Sequence, residues 1–245
     1  MRFTRRALLA GAAFAALDSR APGLAFRQNA PTPPPTSSVK PGPQPLGFDT
    51  DRDGVLFVPR AYAPGVATPL VVLLHGAGGS AEWAESSYAL ADELGFLILA
   101  PDSRQWTWDA LLKGYGPDVR FIHAALDLAN ARLSVDQKRV ALAGFSDGAS
   151  YALSLGIGNG DAFGHLIAFS PGVMRPALVV GKPRVFISHG RGDTVMPIDD
   201  TSRVFVPKLE GLGYEVTYRE FDGRHALPPE IRREAFEWFL KAGRP

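Results

Sequence analysis

Five residues near the middle of the chain restrict its fold more than any others: Gly144-Phe145-Ser146-Asp147-Gly148. They follow the apolar run Arg139 to Ala143, which reads as a buried strand. They precede Ala149 to Gly156, which reads as a packed helix. A serine on so sharp a strand-to-helix turn is driven into strained backbone geometry, and its hydroxyl projects above the sheet. A Cβ at either flanking glycine would collide with the neighbouring strand or helix. The five-residue pattern is common by chance, so the strand–turn–helix setting gives it specificity. Ser146 reads as a nucleophile.

The surrounding pattern supplies the rest of a parallel α/β architecture. From Val55 onward, strands and helices alternate, the mark of a mostly parallel sheet with helices on both faces. Expected strands are Val55–Val58, Leu70–Leu74, Phe96–Ala100, Val140–Ala143, Leu166–Phe169, Val185–Ser188 and Val216–Glu220. Expected helices are Ala81–Leu94, Val119–Leu133, Ala149–Leu155, Asp200–Leu212 and Glu230–Leu240, with Ser80 and Asp118 as N-caps. Gly95 and Gly213 stop two of them.

A serine hydroxyl needs a base, an orienting acid and an oxyanion hole before it becomes a useful nucleophile. The β-branched run Arg184 to Ser188 leads into His189-Gly190-Arg191-Gly192-Asp193, so Asp193 lies just past a strand end. That carboxyl edge is where α/β enzymes keep their chemistry. The alternating segment Val216 to Phe221 leads to Asp222-Gly223-Arg224-His225. The order of serine, acid and histidine is therefore Ser146, Asp193, His225. Asp199 and Asp200 are alternative acids or caps for the following helix. Upstream, Leu70 to Leu74 ends in His75-Gly76-Ala77-Gly78-Gly79, a loop suited to presenting backbone N–H groups. The expected oxyanion donors are the N–H groups of Ala77 and Asp147.

These motifs resemble those of the α/β-hydrolase superfamily from about Val55 to Leu240. Within it the chain is similar to the small lidless esterases of the phospholipase/carboxylesterase and polyhydroxybutyrate-depolymerase-like groups. The residues that carry the likeness are Leu74 to Gly78, Gly144 to Gly148, and His189 to Pro197. The resemblance implies an α/β-hydrolase fold and the roles of nucleophile, acid and base at Ser146, Asp193 and His225. One departure is Asp147, where the related carboxylesterases more often carry Gln. A carboxylate beside the nucleophile disfavours anionic substrates. Members with lids insert them between the strands that match the Leu166 and Val185 strands; here only Pro171 to Lys182 separates those two. Twelve residues cannot form a helical cap, so an open site is expected.

The loop after the Phe96 strand carries Trp106 and Trp108 at the same edge of the sheet. Either the pair lines a substrate pocket or it clamps the loop onto the domain. Trp83, Tyr88 and Trp238 read as packing residues, and Ser170 as a turn residue before Pro171. His75, His123, His165 and His189 have no partners at metal-ligand spacing, so neither a metal nor any other cofactor is expected.

The 245 residues, 46% of them hydrophobic and 21% charged, suit a single globular domain. Four arginines and one aspartate fall in the first 25 residues, which leaves the remainder with an acidic excess of two. Nucleic acid is not an expected partner on those grounds. Thr4-Arg5-Arg6-Ala7-Leu8-Leu9 resembles a twin-arginine motif, followed by an apolar core over Ala7 to Leu17. That core is shorter than the ~20 residues of a membrane span. Residues 1–25 are therefore expected to be an export signal read by the twin-arginine machinery, cut after Ala25 or nearer Ala30. The destination is periplasmic or extracellular. The chain has no cysteine, hence no lipoprotein anchor, disulfide, metal–thiolate site or cysteine nucleophile of the dienelactone-hydrolase kind. Residues 26–47, rich in proline, are expected to be a disordered tether, and 48–245 the catalytic domain.

The expected activity is hydrolysis of a small-molecule or polymeric carboxylic ester through an acyl-enzyme. A peptidase or amidase shares the chemistry, a cytosolic thioesterase requires that the leader not direct export, and an inactive binding module would waste every motif above.

Overall fold

The computed structural model describes residue 26, residues 39–112 and residues 114–241. Eight strands form one sheet: β1 (Gly42–Pro45), β2 (Gly54–Val58), β3 (Thr68–Leu74), β4 (Leu97–Pro101), β5 (Val135–Phe145), β6 (His165–Phe169), β7 (Arg184–Gly190) and β8 (Val216–Phe221). Their spatial order is β1-β2-β4-β3-β5-β6-β7-β8. β1 and β2 pair antiparallel at one edge, and every pairing from β4 through β8 is parallel. The α-helices among the described residues are α1 (Glu85–Leu94), α2 (Pro117–Arg132), α3 (Asp147–Ile157), α4 (Ser202–Gly211) and α5 (Pro229–Lys241). None of the described helices is long and apolar enough to cross a membrane.

The parallel strands are apolar on both sides because both sides are covered. In β3, Leu70, Val72 and Leu74 pack with α2, α3 and α4, whereas Val71 and Leu73 face α1 and α5. Side chains alternate across a strand, so one run of five apolar residues serves two cores. Gly95 closes α1 in the left-handed region, at φ 76°, where a Cβ is costly.

The expected elements are present, with shifts at their ends that have physical causes. β5 begins five residues early, at Val135, through a polar stretch that has no apolar alternation to announce it. A register irregularity opposite Thr68 and Leu70 absorbs the extra length. Asp118 is not an N-cap. Pro117 begins α2, and the Asp118 carboxylate instead accepts the N–H groups of Arg104 and Asp109, 2.5 and 2.7 Å away.

The expected tether and its boundary at residue 48 need correcting. Residues 42–45 form β1, paired with β2 from Gly42↔Val58 to Pro45↔Val55. Proline is tolerated there because β1 is an edge strand. N–H groups alternate sides along a strand, so Pro43 and Pro45 can both turn their missing donor to the open edge. Leu46 is buried behind them, and the Asp53 carboxylate accepts the N–H groups of Gly47 and Phe48 to close the turn. Phe26 is also part of the domain. Its ring stacks on His123 at 4.0 Å and its N–H donates to Asn159 Oδ1 at 3.0 Å. The export signal at 1–25 and residues 27–38 of the tether lie outside the described residues.

Candidate active site

β5 delivers Phe145 to the carboxyl edge of the sheet, and the chain turns there into α3. At the turn Ser146 has φ 56° and ψ −118°, a left-handed conformation for a residue with a Cβ. Three bonds hold its backbone: Ser146 N–H donates to the Phe169 carbonyl at 2.9 Å, and the Ser146 carbonyl accepts from Ser150 N–H at 3.0 Å and Ser150 Oγ–H at 3.1 Å. The two glycines are required by contact. A Cβ on Gly144 would sit inside the backbone of Gly148, and one on Gly148 would sit inside the carbonyls of Leu74 and His75. Strand, helix and the end of β3 are thus packed backbone to backbone around the serine.

Two other strand ends converge on it. The loop after β8 carries His225, whose Nε2 lies 2.8 Å from Ser146 Oγ. The turn after β7 carries Asp193, whose Oδ2 lies 2.6 Å from His225 Nδ1. With Asp193 ionised, Nδ1–H donates to it, and Nε2 is left to accept from the serine hydroxyl. Asp193 Oδ1 accepts the N–H groups of Val195 and Met196 at 2.9 and 2.8 Å. Burial of Asp193 opposes its ionisation, yet the donors from Met196, His225 and Val195 together hold its carboxyl below the usual carboxylate range. Asp199, the alternative acid, instead pairs with Arg203 at 2.8 Å on the surface.

The loop after β3 lies beside the serine, with Gly76 placed so that an added Cβ would touch Ser146 Cβ at 3.4 Å. Gly78 N–H donates to the Trp106 carbonyl at 2.7 Å, and Gly79 N–H donates to the Gly76 carbonyl at 3.1 Å. Those two donors are spent, so Ala77 is the loop's candidate donor to a substrate. Asp147 opens α3, where an N–H has no acceptor within its own helix.

His75 fastens this loop. Its Nδ1–H donates to the Gly76 carbonyl at 2.7 Å, and its Nε2 accepts from Ser103 N–H at 3.0 Å. Burial lowers its pKa, which keeps that neutral arrangement. Arg52 bridges both loops, donating to the carbonyls of Gly79 and Ser103.

The structure separates the two tryptophans. Trp108 is fully buried and its Nε1–H donates to the His75 carbonyl at 2.9 Å, so it is a clamp and not a pocket wall. Trp106 is 68% exposed, with its indole against Gly78, where a Cβ would come within 2.9 Å of Nε1. Between them, Thr107 Oγ1–H donates to the Asp147 carboxylate at 2.6 Å. Asp109, whose part the sequence did not disclose, finishes the loop by accepting from Tyr151 O–H at 3.0 Å and from the N–H groups of Gly116 and Asp118. An aspartate at each end of a long loop before a helix is the only signal that could have suggested it.

On the other side of Ser146, Phe145 lies between Trp83, at 6.0 Å between ring centroids, and His225, at 4.8 Å. Ser170 is buried in a left-handed turn, with φ 53°. Among the described residues, no group of three His, Cys, Asp or Glu is arranged to hold a metal.

No model of a known protein family matches the chain. It is 30% identical over 159 residues to NocK of Nocardia uniformis subsp. tsuyamanensis, to which an esterase activity is provisionally ascribed. That match takes in 59% of this chain and 45% of NocK, so the chain spans less than half the length of this curated relative. Among solved structures, esterase PE8 superposes with a TM-score of 0.63 at 24% identity, over 78% of this chain and 99% of that one. The fluorophosphonate-binding serine hydrolase FphF of Staphylococcus aureus gives a TM-score of 0.65 at 14% identity, over 83% and 100% of the two chains. Sheet order, the serine turn after β5 and these superpositions agree: the chain has the α/β-hydrolase fold.

Proposed function

We propose that this protein is an exported serine hydrolase that cleaves carboxylic esters through an acyl-enzyme. The observation that carries the reading is the continuous chain of hydrogen bonds from Ser146 Oγ through His225 to Asp193. In the proposed mechanism His225 Nε2 takes the hydroxyl proton as Ser146 Oγ bonds to the ester carbonyl carbon. Asp193 fixes the imidazole tautomer and stabilises the imidazolium. The N–H groups of Ala77 and Asp147 receive the oxyanion, a contribution that in other enzymes amounts to about 10²–10³ in rate per donor. The tetrahedral adduct collapses, the alcohol leaves with the proton from His225, and water repeats the sequence to release the acid.

Esters are favoured over amides because the relatives named above carry esterase and serine-hydrolase names. Trp106 is the proposed wall for the substrate's apolar part, since it is exposed yet held on a loop fastened to His75, Gly78 and Asp147. The Asp147 carboxylate disfavours acids and monoesters of diacids. Export rests on Arg5 and Arg6 and the apolar segment after them.

The test is hydrolysis of p-nitrophenyl acetate by the purified protein and by Ser146→Ala. The wild type should turn over and the variant should lose about four to six orders of magnitude, as triad enzymes do. A few per cent of residual activity in the variant would place the nucleophile elsewhere.

A further inference from the structure

One buried titratable group beside the proposed triad has no part in that mechanism. His189, at the end of β7, is fully buried. Its Nε2 lies 2.8 Å from the Met196 carbonyl and 3.2 Å from Asp193 Oδ2; its Nδ1 lies 2.7 Å from Ser202 Oγ. A carbonyl only accepts, so the proton is on Nε2. Nδ1 is therefore the acceptor, and the buried hydroxyl of Ser202 is its donor. Nε2–H donates to the Met196 carbonyl, and the Asp193 oxygen that holds His225 lies 3.2 Å from the same nitrogen.

We propose that His189 is a positioning residue for the triad, a fixed neutral donor that pins the Asp193 carboxylate in the plane in which Oδ2 meets His225. The inference rests on the serine-hydrolase reading above. The charged and titratable groups that face His189 are Asp193 and, beyond it, His225; Ser202 and the Met196 carbonyl are its hydrogen-bond partners. Its burial lowers its own tendency to take a proton. A second imidazolium on the carboxylate would compete with the charge that His225 acquires during attack, and a neutral donor does not. Oδ1 is held by two backbone N–H groups, so loss of His189 frees Asp193 to swing about that anchor.

Three variants test this. His189→Leu keeps the volume and removes the donor. His189→Gln returns an N–H near the position of Nε2. Ser202→Ala removes the group that fixes the tautomer. With p-nitrophenyl acetate, His189→Leu should lose about ten- to a hundredfold in kcat, the range for a hydrogen bond to a charged group, with KM nearly unchanged. His189→Gln should recover most of that loss. Acylation by a fluorophosphonate should slow in parallel, and the low-field proton resonance of the Asp193–His225 bond should broaden or move in His189→Leu. Should His189→Leu fail to fold, Ser202→Ala should show a several-fold smaller kcat at unchanged KM.

A folded His189→Leu with wild-type kcat overturns the inference, as does His189→Gln being equally slow, or a slowed variant whose low-field resonance matches wild type. If His189→Leu does not fold, a wild-type kcat in Ser202→Ala overturns it. A wild-type protein that takes up no fluorophosphonate fails the hydrolase reading itself. One that takes it up, with His189→Leu reacting at the same rate, fails the positioning role alone.

Discussion

Ser146 keeps a backbone conformation that costs an L residue on the order of 1–3 kcal/mol, and it does so because its neighbours leave no alternative. Gly144→Ala or Gly148→Ala would force a Cβ into backbone and not into a side chain that can swing away. Each should destabilise by more than the ~1–3 kcal/mol of ordinary overpacking, read as loss of soluble protein or a large fall in melting temperature. The two tryptophans give a cleaner contrast. Trp108→Ala removes a buried indole and should cost about 3–5 kcal/mol. Trp106→Ala alters an exposed side chain and should leave stability within about 0.5 kcal/mol while flattening the preference for longer acyl chains. Until a pocket is filled, each methylene can contribute up to about 0.8 kcal/mol, so that preference is measurable with p-nitrophenyl esters of rising length. If Trp106→Ala keeps the preference and melts early, the exposed indole is structural. Asp147→Asn should raise relative turnover of monoanionic esters, and unchanged discrimination would remove the carboxylate from the specificity account.

At the scale of elements, β6 and α5 bury His165 against Trp238 and Phe239, at ring-centroid distances of 5.5 and 5.2 Å. Burial, with Arg184 nearby, pushes its pKa down to about 4 from a usual 6.5. A folded-state value below the unfolded one means the unfolded chain binds the proton first. This group's contribution to stability is complete above pH 6.5 and is lost as pH falls through about 4. Denaturant midpoints should decline across that window, and His165→Phe should flatten the decline; an equal decline in the variant would assign it to other groups. The loop from β6 to β7 has no helix or strand between residues 171 and 183, so among the described residues this connection forms no helical lid. Rates should saturate with soluble esters and show no jump at the solubility limit. Activation by emulsified substrate would contradict an open site.

The elements differ in how readable they are. Each strand that ends in a functional turn could be located because apolar runs and Gly-rich turns adjoin there. The convergence of Ser146, Asp193 and His225 follows once three parallel strands end on one edge. β1 could not be recognised, because Pro43 and Pro45 speak against a strand unless its edge position is known. The alternation Trp106-Thr107-Trp108 sends the two indoles to different fates only because the loop is tied by Asp109 and Asp118 to α2, a pairing with no periodic signal.

At the scale of the whole molecule, acidic and basic side chains pair across the surface, as Arg203 does with Glu220 and Arg233 with Glu93. Exposed pairs of this kind contribute ~0–1 kcal/mol each, so stability rests on the two cores flanking the sheet. The proposed export adds a requirement outside the fold. Replacing Arg5 and Arg6 together with Lys keeps charge and hydropathy while removing the arginine pair, and the precursor should accumulate inside the cell. Normal processing of that variant would assign a different export route. One strained serine, Ser146, is proposed to do the chemistry, and covalent labelling tests that most directly. A fluorophosphonate incubated with the intact protein should add one label per chain, and peptide mapping should find it on Ser146, with no uptake by Ser146→Ala or by heat-unfolded protein. Absence of labelling, or a label at any other residue, would contradict the account.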